Sequence, residues 1–101
     1  MARTRKKLSP IHPGEILREE LMKPLNLSAN KLSLALRVPS NRILEIVHGE
    51  RAVTADTALR LGRYFGMSPE FWINAQARYD LETAQDALAA TIEREVNPRA
   101  A

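Results

Sequence analysis

Apolar positions recur along this chain with the three-to-four-residue period of α-helices, and no stretch shows the two-residue period of a β-strand. The clearest pattern lies in residues 27–49, where two short apolar runs stand on either side of Pro39. The apolar positions of these runs are Leu32, Ala35, Leu36, Ile43, Ile46 and Val47. This spacing predicts two short amphipathic helices joined by a tight turn, which is a helix-turn-helix.

Boundary residues support the same interpretation. Ser28 is suited to cap the first helix, because its hydroxyl accepts a hydrogen bond from an otherwise unpaired backbone N–H. Pro39 has no N–H to donate and disfavours the helical conformation at Val38, so the first helix should end before them. Gly49 is a typical C-terminal stop for the second helix. We therefore expect this second helix, the candidate recognition helix, at about residues 40–48.

A further helix is predicted before the helix-turn-helix. It should begin at His12 and Pro13, because proline is favoured in the first helical turn, and it should end at Pro24. Asn26 tolerates the left-handed conformation that the connection to Ser28 requires. The expected inner face of this helix consists of Ile16, Leu17 and Leu21.

A fourth helix is expected between an N-cap at Thr54 and a C-terminal stop at Gly66. Gly62 lowers the helix propensity within it, and a close approach of another helix is a plausible reason for a glycine there. The residues expected to face the core are Ala55, Ala58, Leu59, Gly62 and Phe65.

The fifth helix should be long, from about residue 69 to about residue 96. Ser68 and Pro69 provide an N-cap and a first-position proline, and Pro98 follows its end. Its apolar stripe continues beyond the length that so small a domain can cover. The stripe therefore either contacts a partner or folds back on the first helix, and we favour the partner because a short chain buries little surface alone. The candidate dimer or partner surface consists of Trp72, Leu81, Leu88 and Ile92.

These elements make an all-α fold of five helices over residues 11–97, with an extended C-terminal helix. Residues 1–10 form a basic segment without periodicity, which we expect to be a flexible tail. Such a tail either lies in the DNA minor groove, as basic arms do, or is simply a solvated terminus. A length of 101 residues corresponds to one domain.

Composition narrows the class of protein. With 45% hydrophobic and 27% charged residues the chain is typical of a globular protein, and it contains no cysteine for a disulfide or a thiolate. No apolar run is long enough to span a bilayer or to act as an export signal, so we expect no membrane association and a cytoplasmic location. The sequence has no phosphate-binding glycine loop, paired-histidine motif or nucleophile motif, so we expect no catalytic residue, metal or cofactor.

Charge is distributed unevenly along the chain. The net charge is +3, but residues 23–63 carry seven basic and three acidic side chains, whereas residues 64–101 carry three basic and six acidic ones. DNA attracts a basic surface, and a surface turned away from DNA tolerates acidic groups. The helix-turn-helix therefore lies in the part of the chain suited to face a nucleic acid.

Two groups of residues are candidates for DNA contact. Short or fork-shaped polar side chains in the first turns of a recognition helix can hydrogen-bond to base edges in the major groove, and an apolar one can touch a thymine methyl. The candidate base-reading residues are Ser40, Asn41, Arg42, Leu44 and Glu45. Among them Leu44 is the candidate for a thymine methyl, and the alternative for Arg42 is a phosphate contact. Residues that flank the helix are better placed to contact phosphates, which orient the protein without reading sequence. The candidate phosphate contacts are Ser28, Asn30, Lys31, His48 and Arg51, and the alternative is a solvated polar helix face with no ligand.

At these residues the chain resembles a known family. The helix-turn-helix is similar to the DNA-binding core of the lambda-repressor-like, or XRE, group. The segments IHPGEILREELMKPLNLS and RVPSNRILEIVHGERAVTADTALRLGRYFGMSPEFWINAQARYDLETA, from residue 11 to about residue 84, resemble the HigA antitoxins, also called virulence-associated protein I-like proteins. Two positions depart from the family pattern. Arg37 stands where the turn usually has glycine, and Ala29 stands where many relatives have a phosphate-binding glutamine.

The resemblance implies a lambda-repressor-like fold and a function. It implies a type II antitoxin that binds an inverted-repeat operator as a homodimer and represses its own operon. It also implies a partner, a RelE-like toxin that cleaves mRNA and that the antitoxin neutralises. The alternative is a stand-alone helix-turn-helix repressor without a toxin.

Overall fold

The computed structural model describes residues 9–100, and the predicted tail therefore lies largely outside the described residues. Within that range the chain is helical, with no β-strand, as the hydrophobic pattern predicts. The helices are α1 (Pro13–Ile16), which continues as a π-helical segment (Leu17–Met22), α2 (Ala29–Leu36), α3 (Ser40–Val47), α4 (Ala55–Phe65) and α5 (Pro69–Glu95).

Side-chain caps start three of the helices. The Ser28 hydroxyl accepts a hydrogen bond from the Lys31 N–H at 3.0 Å, and the Ser68 hydroxyl accepts one from the Glu70 N–H at 3.2 Å. His12 caps α1, because its Nδ1 accepts a hydrogen bond from the Gly14 N–H at 2.9 Å. Thr54 occupies the N-cap position of α4, but its side chain makes no capping hydrogen bond. The boundaries were thus predictable even where the capping atom was not.

Helix ends follow one shared pattern. In each of the first four helical segments, a residue with positive φ follows the helix, and the next N–H donates to the carbonyl five residues earlier. The four residues with positive φ are Asn26, Arg37, Gly49 and Gly66. Three of them match the predicted stops. The fourth, Arg37 at φ 62°, adopts the left-handed conformation that glycine adopts at lowest cost, so the turn keeps its geometry without a glycine.

The core lies between the helix-turn-helix and the first half of α5. Its buried apolar residues are Leu17, Met22, Leu32, Leu36, Ile43, Ile46, Val53, Ala58, Leu61 and Trp72. The prediction for α1 was partly right, since Leu17 is buried while Ile16 and Leu21 are only half-buried.

The predicted inner face of α4 was rotated from the observed one. Leu59 is 60% exposed and Ala55 is also exposed, whereas Thr57 and Leu61 are fully buried together with Ala58 and Gly62. Leu59 and Leu61 are equally apolar, so composition alone does not identify the inward one; the packing of α4 between α2 and α5 decides it.

Gly62 permits a close approach of the chain, as expected. A Cβ at this position would lie 2.6 Å from the Met67 carbonyl oxygen. The nearest neighbour is therefore the chain's own turn between α4 and α5. The first residue of α5 is also close, because Pro69 N and Cγ would each lie 3.2 Å from the same Cβ, so the expected approach of another helix is present at the start of α5. This turn directs α5 back across the core.

The first half of α5 belongs to the domain, and the second half does not. Trp72 is fully buried, so its assignment to a partner surface was wrong: the first turn of α5 packs against the core and takes the indole with it. Leu81, Leu88 and Ile92 are 61%, 48% and 50% exposed. The alternative in which this stripe folds back on α1 is therefore contradicted. A helix of 27 residues is about 40 Å long, and its distal half extends beyond the core.

Candidate nucleic-acid interface

Helix α3 presents a short polar face to solvent. Ile43 and Ile46 are fully buried, and this anchors the helix on the core. On the other side Ser40, Asn41 and Leu44 are exposed, with Leu44 at 44%. Three of the five candidate base-reading side chains are therefore accessible together along the first turns of α3.

Gly14 sets how closely α1 approaches α3. A Cβ at this position would overlap the carbonyl oxygen of Ile46, in the last turn of α3. Glycine therefore permits backbone-to-backbone packing, and the position of α3 depends on it. The HPGEIL segment contains this residue, but nothing in its spacing indicates the contact.

Arg42 is held by an acid from another helix. Its terminal nitrogen Nη1 lies 2.6 Å from Oδ2 of Asp56, in the first turn of α4. Arg60 binds the same carboxylate, with its Nε 3.1 Å from Oδ2, and its Nη1 donates to the Leu36 carbonyl at 2.8 Å. The hydrogen bonds from Arg42 and then Arg60 lower the pKa of the Asp56 carboxyl, which stays ionised. The network joins the end of α2 to the starts of α3 and α4.

Glu45 and Arg51 pair with each other. Oε1 of Glu45 accepts a hydrogen bond from Nε of Arg51 at 2.7 Å, and Nη2 of Arg51 lies 2.7 Å from the same oxygen in an ion pair. One predicted base-reading residue thus neutralises one predicted phosphate contact in this structure. A phosphate approaching Arg51 would compete with Glu45 for the same donors.

Three of the five phosphate candidates lie on two separate surfaces. Arg51 lines one cleft between α3 and α4, with Arg42, Thr54, Asp56 and Arg60. Ser28 and Lys31 line a separate depression at the start of α2, with Arg18 and Lys23. Asn30 and His48 are exposed, and neither lines these two surfaces. The basic positions therefore lie on two surfaces, one beside α3 and one at the start of α2.

The loop between α3 and α4 is fastened to α5 by buried polar groups. Oε1 of Gln76 accepts a hydrogen bond from the Val53 N–H at 2.8 Å, and Nε2 of Gln76 donates to Oδ1 of Asp80 at 2.9 Å. His12 lies edge-on to Tyr79 with ring centroids 4.8 Å apart. Burial lowers the pKa of His12, while the nearby Asp80 carboxylate and a hydrogen bond with the Arg51 backbone oppose that shift. These contacts fix the backbone that carries Arg51.

Comparison with known proteins identifies the family. The helix-turn-helix family matches residues 18–72. Over 75 residues the chain is 59% identical to virulence-associated protein I of Dichelobacter nodosus, covering 74% of this chain and 69% of that protein. A HigA-family addiction module antidote protein from Coxiella burnetii has 50% identity and a TM-score of 0.86, covering 91% of this chain and 100% of that one. The chain belongs to the HigA group of XRE helix-turn-helix proteins.

One HigA structure carries DNA. The Pseudomonas aeruginosa antitoxin HigA, solved with the higBA promoter, is 45% identical, with a TM-score of 0.88 over 90% of this chain and 99% of that chain. The described helices of this HigA-family chain thus have the same arrangement as a protein captured with promoter DNA.

Sequence reasoning missed four residues that build or support this candidate interface: Gly14, Asp56, Arg60 and Gln76. Asp56 and Arg60 are spaced four apart on α4, which indicates a helix-surface ion pair but not the link to Arg42. Gln76 stands in an apolar stretch of α5, and a buried glutamine there requires a partner. No group of three or more potential metal ligands lies together in residues 9–100, and none of the helices described could cross a membrane.

Proposed function

We propose that this chain is a type II antitoxin that binds the operator of its own operon as a homodimer, with α3 in the major groove. The observation that carries the proposal is the exposed face of Ser40, Asn41 and Leu44 on a helix anchored by buried isoleucines. Basic residues line a cleft beside this helix and a second surface at the start of α2. A helix-turn-helix docks in this way, with polar side chains at base edges and cations at phosphates. The related HigA solved with the higBA promoter supports the binding of promoter DNA.

The second part of the proposal concerns a toxin. The HigA relationship supports an antitoxin whose partner is a RelE-like ribonuclease. An RNA-cleaving protein binds a polyanion, so its active face is basic. Residues 64–101 carry six acidic and three basic side chains, and they include the exposed half of α5. That surface suits a basic partner, while α3 remains free for DNA in the cytoplasm.

A stand-alone repressor is the other function that these residues support. It would use the same face of α3 and the same operator, and it would have no toxin. The distinction depends on whether a toxin gene lies beside this one.

Co-expression separates the two functions. The neighbouring reading frame is induced alone, with this chain, and with an Arg42→Ala variant of it, and growth is followed. An antitoxin relieves growth arrest in both pairings, because toxin neutralisation does not use the base-reading face. The DNA-binding part is measured separately as a gel shift of the operon's promoter fragment against a random duplex.

Absence of toxicity, or absence of a complex on co-purification, would leave the repressor function. Equal affinity for promoter and random DNA would remove the operator function in either case.

A further inference from the structure

We propose that Asp56 is a positioning residue for sequence readout: its carboxylate holds the Arg42 guanidinium in one orientation at the DNA-facing end of α3. Through this contact, Asp56 determines which base pair Arg42 distinguishes. The inference rests on the proposed function, because it requires that α3 enters a DNA groove.

The carboxylate is itself fixed in place. Asp56 lies in the first turn of α4, and Arg60, one turn later, contacts both of its oxygens at 3.1–3.2 Å. Arg60 is held in turn by the Leu36 carbonyl at the end of α2, at 2.8 Å. Contacts with α2 and α4 therefore hold the Asp56 carboxylate, and its position does not depend on the Arg42 side chain.

Arg42 keeps donors for a base after it binds Asp56. A guanidinium carries five N–H donors, and the contact with Asp56 engages Nη1. The remaining edge can still form the paired hydrogen bonds to O6 and N7 of guanine that arginine characteristically makes. A long side chain loses rotamer freedom when it is fixed, and here part of that loss is already incurred in the unbound protein.

Neither folding stability nor general affinity for DNA accounts for the Arg42–Asp56 ion pair. The Asp56 side chain is 53% exposed and that of Arg42 is 27% exposed, so solvent screens the pair and its contribution to folding stability is small. A carboxylate at a DNA-facing surface also repels phosphates and lowers affinity for all sequences. The arrangement is therefore best suited to orientation, which affects the preference for one base pair and not the general affinity.

The test uses the full-length chain with its operator, with each base pair of one half-site replaced in turn, and with a random duplex. Dissociation constants are measured at one salt concentration. Asp56→Ala should reduce the preference at a single base pair per half-site by about tenfold, within the range for one bidentate contact. Affinity for the random duplex should stay the same or increase, because a negative charge is lost. The preference and the general affinity thus change in opposite directions.

Three variants complete the design. Glu50→Gln removes a negative charge from the exposed loop after α3, and it should raise general affinity with every base preference intact. Asp56→Asn keeps an acceptor oxygen and should lose less of the preference than Asp56→Ala. In the double variant Arg42→Ala/Asp56→Ala, preference at that base pair should equal that of Arg42→Ala alone, because Asp56 acts through Arg42.

Retention of every base preference in Asp56→Ala would overturn the inference while leaving operator binding in place. A uniform loss on all duplexes, with a lowered melting temperature in both Asp56 variants, would also overturn it and would make Asp56 a structural residue. If the wild-type chain does not distinguish operator from random DNA, the proposed function fails with it.

Discussion

At the scale of single residues, two exposed polar side chains of the helix-turn-helix should have different effects on DNA binding. Asn41 stands on the exposed face of α3, and Lys31 lies at the start of α2 beside Ser28. We expect Asn41→Ala to cost roughly 1–3 kcal/mol on the operator and little on random DNA, because base contacts carry the discrimination. Lys31→Ala should weaken binding to both and reduce the slope of log affinity against log salt by about one.

Titrations of operator and random duplexes at several salt concentrations measure both quantities. Arg37→Ala is a suitable control. Arg37 is an exposed cation in the turn, and it is neither a candidate base-reading residue nor a candidate phosphate contact. Equal losses for Asn41→Ala and Lys31→Ala on both duplexes would contradict the division into reading and positioning residues.

Residue positions were predictable only where the local sequence determines them. Ser28 and Gly49 act within a few residues of themselves, and both were identified. Arg42 was identified as a contact residue, but its partner is 14 positions away, and no local signal connects them. The requirement for glycine at position 14 comes from Ile46, which is farther still. Contacts between residues far apart in the sequence depend on how the helices pack, and the periodicity of apolar positions does not determine that packing.

At the scale of helices, the residue with positive φ that follows a helix should lower the folding stability measurably in one turn, where that residue is Arg37. Arg37 occupies the left-handed region at φ 62°, where a non-glycine residue costs about 1–2 kcal/mol. We expect Arg37→Gly to raise the free energy of unfolding by up to about 1 kcal/mol, because glycine also gains freedom in the unfolded chain. Urea denaturation followed by circular dichroism measures this difference.

Gly66→Ala provides the matched comparison, because Gly66 has φ 68° and open space around its Cα. That change should destabilise the fold by strain alone. A lower free energy of unfolding for Arg37→Gly would show that the Arg37 side chain itself stabilises the turn.

Helix existence was predictable because each helix carries its own stripe and stop signals. The face that a helix buries was less predictable, as α4 shows. Its pattern of polar and apolar residues allowed a buried face that included Leu59, whereas the packed structure buries one that includes Leu61. Trp72 was misassigned for a related reason. A large aromatic residue at a helix start is equally compatible with a core and with an interface, and only the path of the chain distinguishes them.

At the scale of the whole molecule, the exposed stripe on α5 should be an assembly surface. Leu88 is 48% exposed in the distal half of the helix. We expect Leu88→Asp to convert the proposed dimer to monomers or to abolish binding of the proposed toxin, because a charge in an apolar interface is costly to bury. The helical circular dichroism spectrum should stay unchanged, since Leu88 lies outside the core. Sedimentation equilibrium and co-purification with the toxin measure the two outcomes.

Ala87→Asp is the matched control, because Ala87 is an exposed neighbour on α5 about 100° around the helix from Leu88. It adds the same charge beside the stripe and should preserve both properties. Unchanged mass and unchanged toxin binding in Leu88→Asp would contradict an assembly role for the stripe.

The projection of α5 beyond the core has a consequence for the exchange of amide protons with solvent. From Leu81 onward its side chains are mostly exposed, so this half of the helix resembles an isolated peptide of about fifteen residues, a length that is marginally stable in water. Its amide protons are therefore released by local opening, whereas those near Trp72 are released only when the core opens. A molecule that covers the distal half would slow its exchange without altering the proximal half. Within this one helix, the exchange rate of the proximal amide protons thus serves as an internal reference. The exchange rate of the distal ones reports whether a molecule covers the projecting half.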